Sequence, residues 1–124
     1  MVSFRFENDR IFELLRAAAQ RSEFQQHRHS TAIVHKGKVL AVGINQKKSH
    51  TLQKQFSGRD TKIWLHSELA AMIKVINRYG PKILGDCELY NLRLTRGGNI
   101  GLAKPCETCS RAIDSFGIGK VFWT

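Results

Sequence analysis

The sequence predicts one α/β domain built on a mixed sheet, and three observations carry that expectation. Segments with helical apolar spacing alternate with β-branched runs in the order α-β-β-α-β-α-β. The first two strands are separated only by Lys36-Gly37, which makes them a hairpin. The last two are separated by a helix, and such a crossover makes strands parallel and right-handed. A chain of 124 residues suits one core and leaves no room for a second.

Taken in order, the first helix is expected from about Asn8 to Phe24, with Ile11, Leu14, Leu15, Ala18 and Ala19 on one face. Asn8 or Asp9 is placed to cap it. Thr31–His35 and Lys38–Val42 form the hairpin, closed by Gly43-Ile44-Asn45. Residues 46–61 are polar, basic and without a period, so an exposed loop is expected. The second helix runs from about Leu65 to Arg78 with Leu65, Leu69, Met72, Ile73 and Ile76 as its buried stripe. Gly80-Pro81 stops it, because glycine takes the left-handed cap and proline cannot continue a helix. Cys87–Thr95 alternates as a third strand, and Gly97-Gly98 breaks it. Pro105 opens a helix to about Phe116, and Lys120–Thr124 is the last strand.

Hydrophobic residues are 42% and charged residues 24%, which excludes a disordered chain. No run reaches the roughly 20 apolar residues of a membrane span. The opening MVSFRFENDR is charged where a secretion signal needs an apolar stretch. A soluble, cytoplasmic protein with no membrane partner is expected. Three cysteines make a poor disulfide framework; Cys87 reads as a buried thiol, while Cys106 and Cys109 form a C-x-x-C that points to metal or redox chemistry. The formal net charge of +10 suggests a phosphorylated small molecule or a nucleic acid as partner, or else a solubilising surface.

Two motifs at helix starts carry chemistry: His66-Ser67-Glu68 and Pro105-Cys106-Glu107-Thr108-Cys109. One imidazole and two thiols are a zinc donor set, and three protein ligands leave a fourth position for water. Helix N-termini favour the thiolate forms that bind metal. Glu68 lies two residues from His66, within reach of that fourth position without being a ligand. It is placed to take a proton from water and deliver it to a base nitrogen and to departing ammonia. H-x-E followed by P-C-x-x-C is a signature of zinc deaminases; either half alone is weak or moderate, and the two in this order are specific.

These motifs, with Ala32-Ile33-Val34 and Gly43-Ile44-Asn45 in the same order, resemble the cytidine and deoxycytidylate deaminase superfamily over nearly the whole chain. Gly43–Thr51 and Leu65–Ala71 are most similar to small phage and bacterial members of the deoxycytidylate type. The resemblance implies a three-layer α/β/α fold, one catalytic zinc (Zn2+) and hydrolytic loss of ammonia from a nucleobase. It implies that His66, Cys106 and Cys109 hold the metal and that Glu68 is catalytic. It places Asn45 against the substrate's sugar or base, although an Asx residue also serves a turn. Ala103 and Lys104 match the loop that lines the base pocket. Relatives usually carry Ala where Ser67 stands, and they continue with a fifth strand and a helix after the fourth. A short C-terminus of about four strands therefore leaves a sheet edge open, and a homo-oligomer is expected to cover it.

Three functions compete at this point. The first is deamination of a cytosine base in a free nucleotide or nucleoside of the dCMP or CMP kind. The second is deamination of cytosine or adenine within RNA or single-stranded DNA, which the charge favours and which needs aromatic stacking; Phe56 is the loop candidate. The third is a non-catalytic zinc-stabilised nucleic-acid-binding module, which leaves Glu68 without a task. Arg93, Arg96 and Lys104 suit either a phosphate or a solvated loop. His27, His29, His35 and His50 lack ligand spacing and read as surface or strand residues; Trp64 and Trp123 read as packing residues.

Overall fold

A computed structural model describes residues 10–57 and 64–124. The expected caps Asn8 and Asp9 and the basic residues Arg59 and Lys62 lie outside that range. The elements are α1 (Arg10–Ala19), β1 (Arg28–His35), β2 (Lys38–Ile44), α2 (Thr51–Ser57), α3 (Ser67–Tyr79), a 3-10 turn (Lys82–Asp86), β3 (Cys87–Leu94), β4 (Ile100–Gly101), α4 (Glu107–Ser115) and β5 (Lys120–Trp123).

The hairpin forms where the sequence placed it. Lys36 and Gly37 both take positive φ, 48° and 82°, the two-residue turn whose twist matches the flanking strands. β1 is longer than expected and central, pairing antiparallel with β2 on one side and with β3 on the other. Its residues Ser30–Val34 are buried on both faces, so Ala32-Ile33-Val34 runs on without alternation and the buried hydroxyls of Ser30 and Thr31 are hydrogen-bonded. β3 pairs parallel with β5 through Glu88–Asn91 and antiparallel with β4 at Arg93–Leu94. The two-residue β4 joins the four expected strands; it is too short to leave a period, and it follows the Gly97-Gly98 break.

Helices cover both faces of this mixed sheet. Phe12, Leu15 and Ala19 pack on Ala32, Val34, Tyr90, Leu92 and Leu94 on one side. Leu69, Met72, Val75, Ala112 and Ile113 pack with Ile33, Leu89 and Val121 on the other. The two sets come from alternate strand positions, as the pleat requires. The face of α1 is rotated from the expected one: Phe12 is buried and Leu14 is 42% exposed. Four of the five residues in 11–15 are apolar, which fits two adjacent stripes, and the bulkier ring takes the core. On α3, Ser67, Glu68, Ala70, Ala71 and Val75 are buried, while Ile73 and Ile76 pack at the margin of the core.

One glycine sets the distance between sheet and α3. A Cβ on Gly43 would stand 2.4 Å from the Ala71 nitrogen and 2.7 Å from the Ser67 oxygen. Only a residue without a side chain lets β2 come this close to the first turns of α3. Among the described residues no helix is long and apolar enough to cross a membrane.

Candidate active site and metal centre

The two motifs converge because the residue before each helix is extended. His66 has φ −78° and ψ 153°, and Cys106 has φ −70° and ψ 172°. Each starts its helix through its carbonyl: Ala70 N donates to His66 O at 2.9 Å, and Ser110 N to Cys106 O at 2.8 Å. Cys109, one turn on, places its sulfur on the same side as that of Cys106. His66 Nδ1 lies 3.2 Å from Cys109 Sγ and 3.5 Å from Cys106 Sγ. All three donor atoms fall within 4.8 Å of one another, the one such His/Cys/Asp/Glu group among the described residues.

Proton sharing within the group shows how close these donors are. The Cys109 thiol hydrogen-bonds to Cys106, and with help from His66 this lowers the Cys106 pKa to about 3. The same contact pushes the Cys109 thiol well up, and the Cys106 sulfur raises His66. Three groups that compete for protons at one point are arranged to share a cation there instead. One nitrogen and two sulfurs at this spacing fit zinc, whose preferred ligands they are.

Glu68 follows on the first turn of α3 and is 5% exposed. Burial raises its pKa above the ordinary carboxylate value, so its acid form is available at a higher pH than a surface glutamate's. Its neighbour Ser67 donates to Glu68 Oε1 at 3.1 Å.

A segment read as loop holds the arrangement together. Residues 51–57 form α2, and its Gln53 is fully buried with Oε1 accepting the His66 backbone N–H at 3.1 Å. Arg111 of α4 donates to Phe56 O through Nε at 3.1 Å and Nη2 at 2.7 Å. The Phe56 ring packs on Phe116 at 6.0 Å. α2 thus ties the helix that follows His66 to the helix that follows Cys106. Phe56 is occupied by this packing and is not the base-stacking residue the loop reading offered.

A cavity of about 310 Å³ opens beside the donors and is lined by His66, Ser67, Glu68 and Cys106. Cys109 is buried away from it. Of the residues expected to meet substrate, Asn45 and Lys104 line the cavity and Ala103 does not. Asn45 is largely committed to the fold: its Oδ1 accepts from Ser22 Oγ at 2.6 Å and His29 N at 3.0 Å, and its Nδ2 donates to His27 O at 2.8 Å. One amide hydrogen remains for a ligand. Ala103 is fully buried, and its carbonyl accepts from Asn91 Nδ2 at 2.8 Å; it supports the loop that carries Lys104.

Four further residues line the cavity: His27 and His29, read as surface or strand residues, Trp64, read as packing, and Phe24, expected only as the end of the first helix. His27 and His29 sit where β1 begins, and no ligand spacing marks them. Burial, then Arg93, lowers the His29 pKa to about 4, so its imidazole is neutral around pH 7. Trp64 is 46% exposed while lining the cavity, which sets its indole at the opening to solvent. Lys47 Nζ stands 5.5 Å over the Phe24 ring. His50 instead starts α2, its Nδ1 accepting from Leu52 N at 3.1 Å. Cys87 is the buried thiol expected, donating to Ile83 O at 3.2 Å.

A three-layer α/β/α sheet with a His/Cys/Cys group and a buried glutamate at two helix starts defines a zinc-dependent hydrolase of the deaminase class. Residues 7–124 match the family described as the cytidine and deoxycytidylate deaminase zinc-binding region, and the chain belongs to that family. Membership sets aside the non-catalytic module. The fold is similar to the dCMP deaminase from the cyanophage S-TIM5 in apo form, with 24% identity over 97% of this chain and 84% of that one, at a TM-score of 0.61. The same cyanophage enzyme in complex with dCMP and dUMP gives 22% identity, coverage of 97% and 82%, and a TM-score of 0.65. Guanine deaminase from Bacillus subtilis is similar at 25% identity over 78% of this chain and 49% of that one, with a TM-score of 0.51. No curated protein matches the chain in sequence.

Proposed function

We propose that residues 1–124 form one deaminase domain that converts the cytosine of a free nucleotide, of the dCMP or CMP kind, to uracil with release of ammonia. His66 Nδ1, Cys106 Sγ and Cys109 Sγ hold the zinc. When bound, the metal acts as a Lewis acid that makes water a nucleophile near neutral pH. Glu68 is placed to take one proton from the attacking water and hand it to the ring nitrogen, then to take the proton of the new C4 hydroxyl and hand it to the amino group, so that the C4–N bond breaks, ammonia leaves and C4 becomes the uracil carbonyl. A buried carboxyl with a raised pKa is suited to both directions of transfer. Asn45, with its one free amide hydrogen, orients the sugar or base. Ala103 fixes the loop that presents Lys104 to the substrate.

The observation that carries this reading is the cavity itself: it is small, it holds the Glu68 wall next to His66 and Cys106, and Lys104 lines it while Lys47 stands over Phe24. Those two ammonium groups suit a phosphate on the substrate. Two histidines and two aromatic rings on the remaining wall suit a flat heteroaromatic base. A thiolate-bearing site belongs in a reducing compartment, and the cytoplasm is our placement. The outer edge of β5 is our candidate for a contact between copies of the chain.

A second reading rests on Trp64. An indole at the opening of a cavity, on a chain with a net charge of +10, is also a platform for the base next to a target in single-stranded RNA or DNA. One assay separates the two. Zinc-loaded protein is incubated with dCMP, CMP, deoxycytidine, cytidine and single-stranded oligonucleotides, and ammonia is followed. Turnover of the monophosphates ahead of all others is expected. Turnover of oligonucleotides alone favours the second reading.

A further inference from the structure

The carboxyl of Glu68 has a neighbour that the expected chemistry does not use. Ser67, Thr31 and Asn91 are each fully buried, on α3, β1 and β3. Thr31 and Asn91 are cross-strand partners in the β1–β3 ladder. The Ser67 hydroxyl reaches Glu68 Oε1 at 3.1 Å and the Thr31 hydroxyl at 2.8 Å. Thr31 in turn donates to Asn91 Oδ1. The Asn91 amide cannot turn over, because its Nδ2 is spent on Ala103 O at 2.8 Å. A continuous polar chain thus runs from the carboxyl through three side chains to the backbone before Lys104.

Buried hydroxyls and amides are costly unless satisfied. An apolar trio would pack this space without that cost, so the polar chain needs a reason. We propose that Ser67 is a positioning residue that fixes the orientation of the Glu68 carboxyl by anchoring it to the two central strands. Without the chain, the carboxyl keeps only its contacts with the helix's own backbone and with the Cys109 thiol, and nothing ties it to the sheet. With it, Oε1 is referenced to Thr31 and Asn91 in the centre of the sheet, the most rigid part of the molecule. Thr31 gives its one proton to Asn91 Oδ1, so Ser67 donates to Thr31 when a protonated Glu68 carboxyl donates to Ser67, and turns its proton to Oε1 when the carboxyl is charged. The alanine usual in relatives at this position has neither capacity.

The inference rests on Glu68 being the proton carrier, and its test has one arm that needs no substrate. Crystal structures of the zinc-loaded protein and of Ser67→Ala are compared at the carboxyl. The wild type is expected to show one orientation within hydrogen-bond distance of Ser67; Ser67→Ala is expected to show a turned or divided carboxyl with the metal still bound. In the kinetic arm, with dCMP as probe, Ser67→Ala lowers kcat by about 10- to 100-fold with KM unchanged, the usual scale for a lost supporting contact. Thr31→Val lowers it similarly, and the double variant is no slower than the slower single, because both cut one chain. A Glu68 carboxyl unmoved in Ser67→Ala, or losses from Ser67→Ala and Thr31→Val that simply multiply, overturns the inference. A wild type that binds zinc yet leaves dCMP untouched counts against the substrate assignment instead, and the crystallographic arm still decides the role of Ser67.

Discussion

The proposed role of Glu68 is to move protons, and its carboxyl meets Ser67 at 3.1 Å on the first turn of α3. Glu68→Gln keeps shape and hydrogen bonding while removing the transferable proton. It is expected to retain zinc and thermal stability and to lose about 10²- to 10⁴-fold in kcat, the range for general acid–base groups; metal analysis beside a turnover assay checks this. Trp64→Ala acts differently. Its indole stands at the opening of the cavity, away from the proposed chemistry, so KM is expected to rise about tenfold, near 1–2 kcal/mol of stacking, with kcat little changed. His29 gives a pH prediction. Its folded pKa is about 4 against an ordinary 6.5, so the fold holds it neutral. Below pH 6.5 the unfolded chain takes up a proton that the folded one refuses, so stability is lost as pH falls from 6.5 through 4 and is intact above 6.5. Denaturant titrations across that window, on wild type and His29→Gln, are expected to show a shallower decline in the variant.

At the level of elements, the site depends on how closely α3 lies on the sheet and on how α2 spans the two motif helices. Gly43→Ala introduces an atom 2.4 Å from the Ala71 backbone, which cannot move without the helix. A loss of about 1–3 kcal/mol in stability is expected, as for other overpacked cores, together with weaker zinc binding as His66 shifts with α3. Calorimetry and a competitive chelator titration measure the two. The hairpin, α3 with its Gly80 stop, β3 and the helix after Pro105 were all legible, because each has a local cause: a turn, a period or a cap. α2 was not. Its sequence, Thr51–Ser57, is short and mostly polar, and one apolar pair four apart, Leu52 and Phe56, is too little to set a period. It is a helix because tertiary contacts use it, with Gln53 capping His66 and Phe56 meeting Arg111 and Phe116. Short elements held by what they support leave no period in a sequence.

Across the whole molecule, the sheet brings together residues far apart in the chain: His66 and Cys109 are 43 positions apart and their atoms 3.2 Å apart. The donor set was legible from residue types and spacing alone, since zinc chemistry admits few combinations. The rest of the cavity was not. Phe24, His27 and His29 carry no motif and are brought beside Glu68 by the segment that leads into β1, while Trp64, two residues before His66, carries no signal of its own. A zinc held by His66, Cys106 and Cys109 would join α3 to α4, so its removal by a chelator is expected to lower the melting temperature reversibly, as linkage requires of a ligand that binds only the folded state. The most direct test of the account is X-ray absorption at the zinc edge of the loaded protein. Two sulfurs at about 2.3 Å with two lighter atoms at about 2.0–2.1 Å are expected for the His66, Cys106 and Cys109 site with one open position; four sulfurs, or none, would contradict it.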